Sequence, residues 1–168
     1  MKVKFYGVRG SIPVCGPDFQ RYGGNTTCLR IAREEANRYI REVSYGLRIE
    51  DDSQVLTICT DVEHIDGIDE TIVELVRDAD LLLHDGQYTD EEHVKYRGWG
   101  HSTWRQAVEV AKRANVKKLV IIHHDPDHDD NMLDSMEREC QKEFPNSVFA
   151  KEGMEVEVGL PAASLQLR

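Results

Sequence analysis

The chain has 168 residues, 40% of them hydrophobic, which fits a single domain with a buried core. Its formal net charge of -10 argues against a long contact with a nucleic-acid backbone, which needs clustered Lys and Arg. The sequence has neither an apolar run approaching the roughly 20 residues of a membrane span nor a signal-peptide core at its start, so we expect a cytoplasmic protein.

The first 60 residues favour paired strands. Lys2–Tyr6 predicts a strand, and the loop that follows, Gly7–Pro13, is rich in Gly and Pro. Loops of this kind rarely pack for their own sake, so we expect it to have a functional role. Two hairpins are then predicted, Thr26–Ala32 with Tyr39–Val43 and Leu47–Glu50 with Val55–Thr60.

After residue 61 the pattern changes to an alternation of helices and strands. Three helices are expected, with N-caps at Asp69, Ser102 and Asp130. The strands between and after them are expected to end at His84, His123, Ala150 and Val158. Strand pairs followed by this alternation indicate an α/β fold, and no linker or repeat divides the chain, so we expect one domain over residues 1–168.

Polar side chains follow three of the predicted strands directly. Val55–Thr60 leads into Asp61, Leu81–Leu83 into His84 and Asp85, and Leu119–Ile122 into His123, His124 and Asp125. In layered α/β proteins, chemistry gathers outside the carboxyl ends of strands. The three strand ends therefore predict one shared site, and their Asp and His residues predict a hydrolytic metal centre.

Other interpretations of these residues stay open. Asp61 fits an ordinary acidic turn, and the polar segment 123–130 fits a loop that feeds a helix N-terminus, where acids are favourable. The second alternative does not explain His123, which continues a buried strand. A calcium loop is excluded, because Asp130 stands where Gly is needed and Met136 where a bidentate Glu belongs.

A second pair of residues suggests proton transfer. Asp85 can accept a hydrogen bond from one ring nitrogen of His101, which leaves the other nitrogen to move a proton. The alternative is that His101 only helps to cap the helix that follows it. The histidines at positions 64, 93 and 128 are expected to be solvated surface residues.

With these residues in view, the chain resembles the metallo-β-lactamase fold superfamily, in the branch near ribonuclease Z and small phosphodiesterases. The segments that carry the resemblance are Phe5–Pro13, Gly23–Cys28, Thr60–Asp61, Leu83–Asp85, Gly98–Thr103 and His123–Pro126. The resemblance implies an α/β fold, the αββα sandwich of that superfamily, here reduced in its N-terminal half.

The resemblance also implies roles for individual residues. Asp61 is the bridging metal ligand, His123 is the last metal-binding histidine, and His124 takes the next, non-ligand position. Asp85 and His101 match the acid–histidine relay that assists protonation of the leaving group. Zinc is the expected metal for mixed histidine and carboxylate ligands, with manganese as the alternative.

The chain departs from the family in one respect. The superfamily carries an H-x-H-x-D-H motif and one further metal-binding histidine before the strand that leads to Asp61. The chain has neither, and Glu63–Asp66 is not that motif. Two expected ligands are kept and five are missing. We therefore expect either a shortened relative or a chain that lacks a family segment near residues 40–44, with a spatial break there.

Two functions from different classes follow. The first is a metal-dependent hydrolase that acts on a phosphodiester or related ester through a metal-activated water. The second is a non-catalytic remnant of the fold that serves as a binding or interaction module. For partners we expect a small anionic ester substrate and no membrane, and a second copy of the chain stays open. Extended nucleic-acid binding, including ribonuclease Z activity, is disfavoured because there is no long arm and no basic patch.

Overall fold

The computed structural model describes residues 1–33, 36–41, 46–50, 53–159 and 166–167. Within these residues, ten strands form two five-stranded sheets. The strands are β1 Lys2–Gly7, β2 Cys28–Arg33, β3 Ala36–Arg41, β4 Leu47–Glu50, β5 Val55–Cys59, β6 Leu81–Asp85, β7 Leu119–Ile122, β8 Ser147–Phe149, β9 Met154–Glu157 and β10 Gln166–Leu167. Both predicted hairpins are therefore present, as β2–β3 and β4–β5.

The first sheet is antiparallel throughout, in the order β10-β9-β1-β2-β3. Its side chains alternate between a buried and a solvated face, as is typical of antiparallel sheets. Val3 and Phe5 are fully buried, whereas Lys4 between them forms an ion pair with Glu155, 3.1 Å from Nζ to Oε1. One face of this sheet therefore packs in the core and the other faces water.

The second sheet has the order β4-β5-β6-β7-β8, and its last four strands are parallel. Its central strands are apolar on both faces. Leu81, Leu82 and Leu83 are all fully buried although they point alternately to opposite sides. A continuous apolar run of this kind indicates a strand covered on both faces. The parallel order also places the carboxyl ends of β5, β6 and β7 at the same edge.

In the part of the chain that the structure describes, four α-helices connect the later strands. They are α1 Glu70–Leu75, α2 Asp90–Tyr96, α3 Trp104–Arg113 and α4 Asp130–Glu143. Asp69 caps α1 as predicted, by accepting a hydrogen bond from the Thr71 amide. Helix α2 was missing from the sequence prediction. All of its residues stay at least partly exposed, so it has no apolar stripe for the prediction to detect.

Two predicted N-caps are wrong by one residue. Thr103, not Ser102, caps α3 in a capping box with Gln106. Ser102 is used elsewhere, since its hydroxyl donates to the Val62 carbonyl and its amide to Asp85. Asp129, not Asp130, caps α4 by accepting from the Met132 amide.

The molecule is layered. Between the sheets lies one apolar cluster, which includes Phe5 and Ile31 from the first sheet and Leu81 and Val120 from the second. A second cluster joins the opposite face of the second sheet to α1, α3 and α4. Within the described residues the order of layers is thus helices, sheet, sheet. This matches the predicted sandwich with its reduced N-terminal half.

The predicted break near residues 40–44 falls largely outside the described residues. Strand β3 ends at Arg41 and β4 begins at Leu47. Residues 42–45 belong to the part that is not described, so the break stays a prediction. In the described residues, every helix is too short or too polar to cross a bilayer.

Candidate functional site

Three of the predicted site residues lie where parallel strands end. Asp61 follows β5 after one intervening residue, Asp85 is the last residue of β6, and His123 follows β7 directly. The fourth, His101, precedes α3 and lies beside Asp85. Parallel strands end at the same edge, and this edge brings all four residues together.

Asp61 and His123 face each other across the edge. His123 Nε2 lies 3.6 Å from Asp61 Oδ1, and that nitrogen is buried without a hydrogen bond to any of the described residues. Both residues have left-handed backbone conformations, with φ of 55° and 65°. Non-glycine residues rarely adopt this conformation, and such strain concentrates at functional sites.

Thr60 orients both of these side chains, although the sequence did not single it out. Its hydroxyl donates to Asp61 Oδ2 at 3.1 Å and lies 3.2 Å from His123 Nδ1. Because a hydroxyl has one proton, Thr60 then accepts the Nδ1 proton of His123. The Nε2 lone pair of His123 is therefore free and faces Asp61, which is the tautomer that binds a metal.

Asp85 and His101 form the predicted pair. His101 Nδ1 lies 2.9 Å from Asp85 Oδ2. The carboxylate is fully buried and accepts three further hydrogen bonds, from the amides of Asp61, Gln87 and Ser102. Four donors fix the position of this carboxylate.

The surroundings of His101 favour its protonated form. Burial alone would lower the pKa of His101. The hydrogen bond to Asp85 and the charges of Asp85, Asp61 and Glu63 outweigh burial, so the pKa of His101 is raised above its ordinary value. A protonated imidazole beside a cleft can donate a proton to a leaving oxygen.

The donor set fits a divalent metal. Asp61, His101 and His123 each offer a ligand atom within 4.8 Å of the others, and this is the only such trio among the described residues. The 3.6 Å between His123 Nε2 and Asp61 Oδ1 is a separation that two ligands of one ion can have, and one carboxylate with neutral imidazole suits zinc. The ring of His101 stacks on that of His123 at 4.8 Å between centroids, so His101 stands either as a third ligand or as a proton donor beside the metal.

The Gly-rich loop after β1 lies against this site. A Cβ on Gly10 would lie 2.7 Å from both the His123 ring and the Gln87 side chain, so only glycine fits there. Its neighbour Arg9 is fully buried and donates to the carbonyls of Asp125 and His128. The loop thus supports the segment that carries His123, a role that its composition indicated without naming residues.

His124 lies outside the cluster. It is fully buried, its Nε2 lies 3.0 Å from the Ala150 carbonyl, and its ring packs on Tyr22 and Phe149. Burial lowers the pKa of His124 to about 3, so it is neutral. Of the two adjacent histidines, His123 is therefore the one that faces Asp61.

The expectation of solvated surface positions for the remaining histidines is wrong for two of them, and the third, His93, is only partly exposed, with 13% of its side chain accessible and its Nε2 3.4 Å from Glu63. His64 is 1% exposed and accepts a hydrogen bond from the Asp69 amide, and His128 is 2% exposed and pairs with Glu92 at 2.9 Å. Both lie in loops that fold back over the carboxyl edge of the second sheet. Sequence alone could not detect this burial, because the ring of His64 stacks on that of His84 and His128 pairs with Glu92, both of which come from other segments.

Comparison with known proteins identifies the family. The profile of the beta-lactamase superfamily domain matches residues 21–124, which is more than half of the chain. The chain belongs to this superfamily. Ribonuclease Z from Gemmatimonas aurantiaca is 39% identical over 84 residues, and that from Archaeoglobus fulgidus 38% over 90 residues. These alignments cover 50% and 51% of this chain but only 26% and 28% of the relatives.

Solved structures show the same fold. The metallo-β-lactamase fold protein YhfI from Bacillus subtilis has a TM-score of 0.55 and 19% identity, over 86% of this chain and 50% of its own. The human tRNase Z short form has a TM-score of 0.51 and 19% identity, over 86% of this chain and 46% of its own. The predicted metallo-β-lactamase-type fold is confirmed, and the chain spans about a quarter to a half of these proteins.

The expected substrate class is wrong. A small anionic ester was predicted, with extended nucleic-acid binding disfavoured, yet the relatives that the chain matches are named as ribonucleases. The error came from the net charge of -10, which is a property of the whole chain. A bound cation can reverse the local field at a site, so overall charge does not exclude a nucleic-acid substrate.

Proposed function

We propose that this chain is the core of a metal-dependent phosphodiesterase that hydrolyses RNA. The observation that carries the proposal is the single cluster of Asp61, His123 and the Asp85–His101 pair at one sheet edge. The similarity to ribonuclease Z supports RNA as the substrate class. Because the chain spans only part of those proteins, the activity and the substrate are proposals.

In this proposal Asp61 and His123 hold the metal, with zinc expected and manganese as the alternative. The bound ion would supply Lewis acidity toward the phosphoryl oxygen and a water of lowered pKa. Thr60 holds the free lone pair of His123 toward Asp61, and Asp85 anchors the metal-binding edge through the Asp61 amide. These contacts preorganise the ligands before the metal arrives.

His101 acts as the general acid. Asp85 accepts its Nδ1 proton, which fixes the ring and leaves Nε2 to protonate the oxygen that leaves the phosphorus. Its raised pKa favours the protonated form of this donor. Proton donation is needed because an alkoxide is a poor leaving group, and a positioned acid typically contributes about 10²- to 10⁴-fold in rate.

The proposal requires ligands beyond Asp61 and His123, since a catalytic zinc has three protein ligands and a water. A family segment outside this sequence or a second copy of the chain could supply them. The absence of the H-x-H-x-D-H motif favours the second candidate function, a non-catalytic module that keeps the fold. The two candidates differ in whether the chain cleaves RNA when a metal is present.

The test is a cleavage assay on a 5′-labelled single-stranded RNA, with protein stripped by EDTA and then supplied with Zn²⁺ or Mn²⁺. The proposal expects cleavage only with metal, lost in Asp61→Asn and His123→Ala. Asp127→Asn is the matched control, because Asp127 is an exposed acid in the loop after His124. Cleavage that persists in EDTA would reject a metal-dependent hydrolase. If the chain binds stoichiometric metal and still does not cleave the RNA, the hydrolase is rejected in favour of the non-catalytic module.

A further inference from the structure

A line of aromatic rings runs from the site to the surface. His101 meets Tyr88 edge to face at 5.9 Å between centroids, Tyr88 stacks on Tyr96 at 5.2 Å, and Tyr96 meets Trp99 at 5.0 Å. Exposure increases along the line, from 2% for Tyr88 to 68% for Trp99. Three ring contacts thus connect the proposed general acid to a tryptophan that stands in solvent.

The loop that carries Trp99 is held in place. Both neighbours of Trp99 are glycines with φ of 91°, and their amides donate to the two oxygens of Glu63, at 2.6 Å from Gly98 and 2.9 Å from Gly100. The Trp99 amide itself donates to the Tyr96 carbonyl at 3.1 Å. Only 6% of the Glu63 side chain is exposed. A buried carboxylate that fixes both sides of one residue presents that residue in a defined position.

The glycines follow from this arrangement. A Cβ at Gly98 or Gly100 would meet no atom of the described residues within 4 Å, so crowding does not explain these glycines. Their left-handed φ does, because other residues adopt it at a cost. The backbone is therefore shaped to turn the Trp99 ring outward instead of into the core. An exposed large aromatic on a fixed loop near a candidate site is a typical contact for a ligand.

We propose that Trp99 and Tyr96 form a stacking platform for a nucleobase of the single-stranded RNA next to the scissile phosphodiester. The proposal rests on the proposed function, which places RNA at His101. Every base has a flat π-face, and aromatic side chains stack on unpaired bases without regard to sequence. Stacking also needs no positive charge, so it suits a chain whose net charge is -10.

The test uses the fluorescence of the EDTA-treated protein, so that binding is measured without cleavage. The chain has two tryptophans, and Trp104 is 3% exposed, so quenching by an added oligonucleotide reports on Trp99. The probes are an eight-nucleotide oligoadenylate and an abasic oligomer of the same length. We expect oligoadenylate to quench the exposed tryptophan and the abasic oligomer not to quench it.

Variants then locate the contact by a separate binding measurement, the anisotropy of labelled oligoadenylate. Trp99→Ala is expected to raise the Kd about 5- to 150-fold, since one stacked base is worth roughly that factor, and Trp99→Phe to restore most of the affinity. Val94→Ala is the matched control, because Val94 is an 80% exposed apolar residue on the preceding helix α2. It should leave the Kd unchanged.

Several results would overturn the platform. The first is equal binding of the abasic oligomer, and the second is an unchanged Kd in Trp99→Ala. The third is a protein that does not bind oligoadenylate but uses Trp99 to self-associate or to bind anionic lipid vesicles. Failure of the proposed function gives a different pattern. In that case oligoadenylate still quenches Trp99 while no metal supports cleavage of the labelled RNA.

Discussion

The two sheets differ in whether their strand ends carry residues of the candidate site. The first is antiparallel, with ion pairs such as Lys4–Glu155 on its solvated face. The second is largely parallel and buried on both faces, and its strand ends carry Asp61, Asp85 and His123. A parallel sheet aligns the ends of consecutive strands, so residues far apart in sequence meet without long loops. The first sheet supports the site indirectly, because the loop that follows its strand β1 contacts the site segment through Gly10 and Arg9.

The largest expected effect lies at the edge of the second sheet. His101→Ala should lower the rate of RNA cleavage by about 10²- to 10⁴-fold while metal content falls much less, because a general acid moves a proton and does not hold the ion. Metal analysis beside single-turnover kinetics separates the two roles. A variant that loses its metal but keeps its rate per bound metal would make His101 a ligand.

Next in size are substitutions that compare the faces of the two sheets. Leu81→Ala and Leu82→Ala, on opposite faces of β6, should each lower the free energy of unfolding by about 2–5 kcal/mol. In β1, Phe5→Ala should cost about 3–5 kcal/mol and its neighbour Lys4→Ala less than about 1 kcal/mol. Urea unfolding measures all four. A small effect of Leu82→Ala would contradict a second sheet that is covered on both faces.

Acid should act on the second sheet, because all seven histidines lie between residues 64 and 128. Burial lowers the pKa of His64 to about 4, below its ordinary value of 6.5. Between these values the unfolded chain binds the proton and the folded chain does not, so stability falls as pH falls through this window. From pH 7 to pH 4.5 this one group should cost about 2 kcal/mol.

His64→Gln is the matched variant for this effect, since an amide oxygen can still accept from the Asp69 amide. Urea unfolding at several pH values should show a pH dependence that is flatter by that amount in the variant. An unchanged slope would mean that His64 titrates normally and is not buried in solution.

A smaller effect is expected at the loop that holds Trp99. Glu63→Gln keeps one oxygen acceptor and loses the other, so one of the two glycine amides loses its partner. We expect oligoadenylate to bind several-fold more weakly by anisotropy, with metal content unchanged. Glu63→Asp, whose side chain is one methylene shorter, should bind oligoadenylate more weakly still. Unchanged binding in both variants would show that the loop is positioned by other contacts.

Much of the fold followed from apolar runs and their polar ends. The runs before Asp61, Asp85 and His123 located three parallel strands, and their alternation with helices located the shared edge. Helix α2 escaped because its residues are polar almost throughout. The predicted cap at Ser102 was wrong because its hydroxyl donates to the Val62 carbonyl, a tertiary contact that local propensity does not report.

The candidate site could be predicted in part, because its residues lie at the ends of apolar runs. Residues at strand ends could be named, whereas the contacts that orient them could not. Thr60 binds two site residues and Glu63 clamps a loop 35 residues away in sequence. Both depend on how segments meet in three dimensions. The expectation of a small anionic substrate was wrong because net charge describes the whole surface, whereas a site responds to its own few groups.

Anomalous diffraction at the zinc absorption edge, from crystals grown with one equivalent of Zn²⁺, tests the central claim most directly. The account predicts a peak between Asp61 and His123, within about 2.0–2.2 Å of a carboxylate oxygen and of His123 Nε2. His124→Gln should keep the peak, and His123→Ala should abolish it. A metal centre at this sheet edge would be contradicted by a fully occupied zinc that contacts neither Asp61 nor His123. It would also be contradicted if crystals grown with stoichiometric zinc showed no anomalous peak.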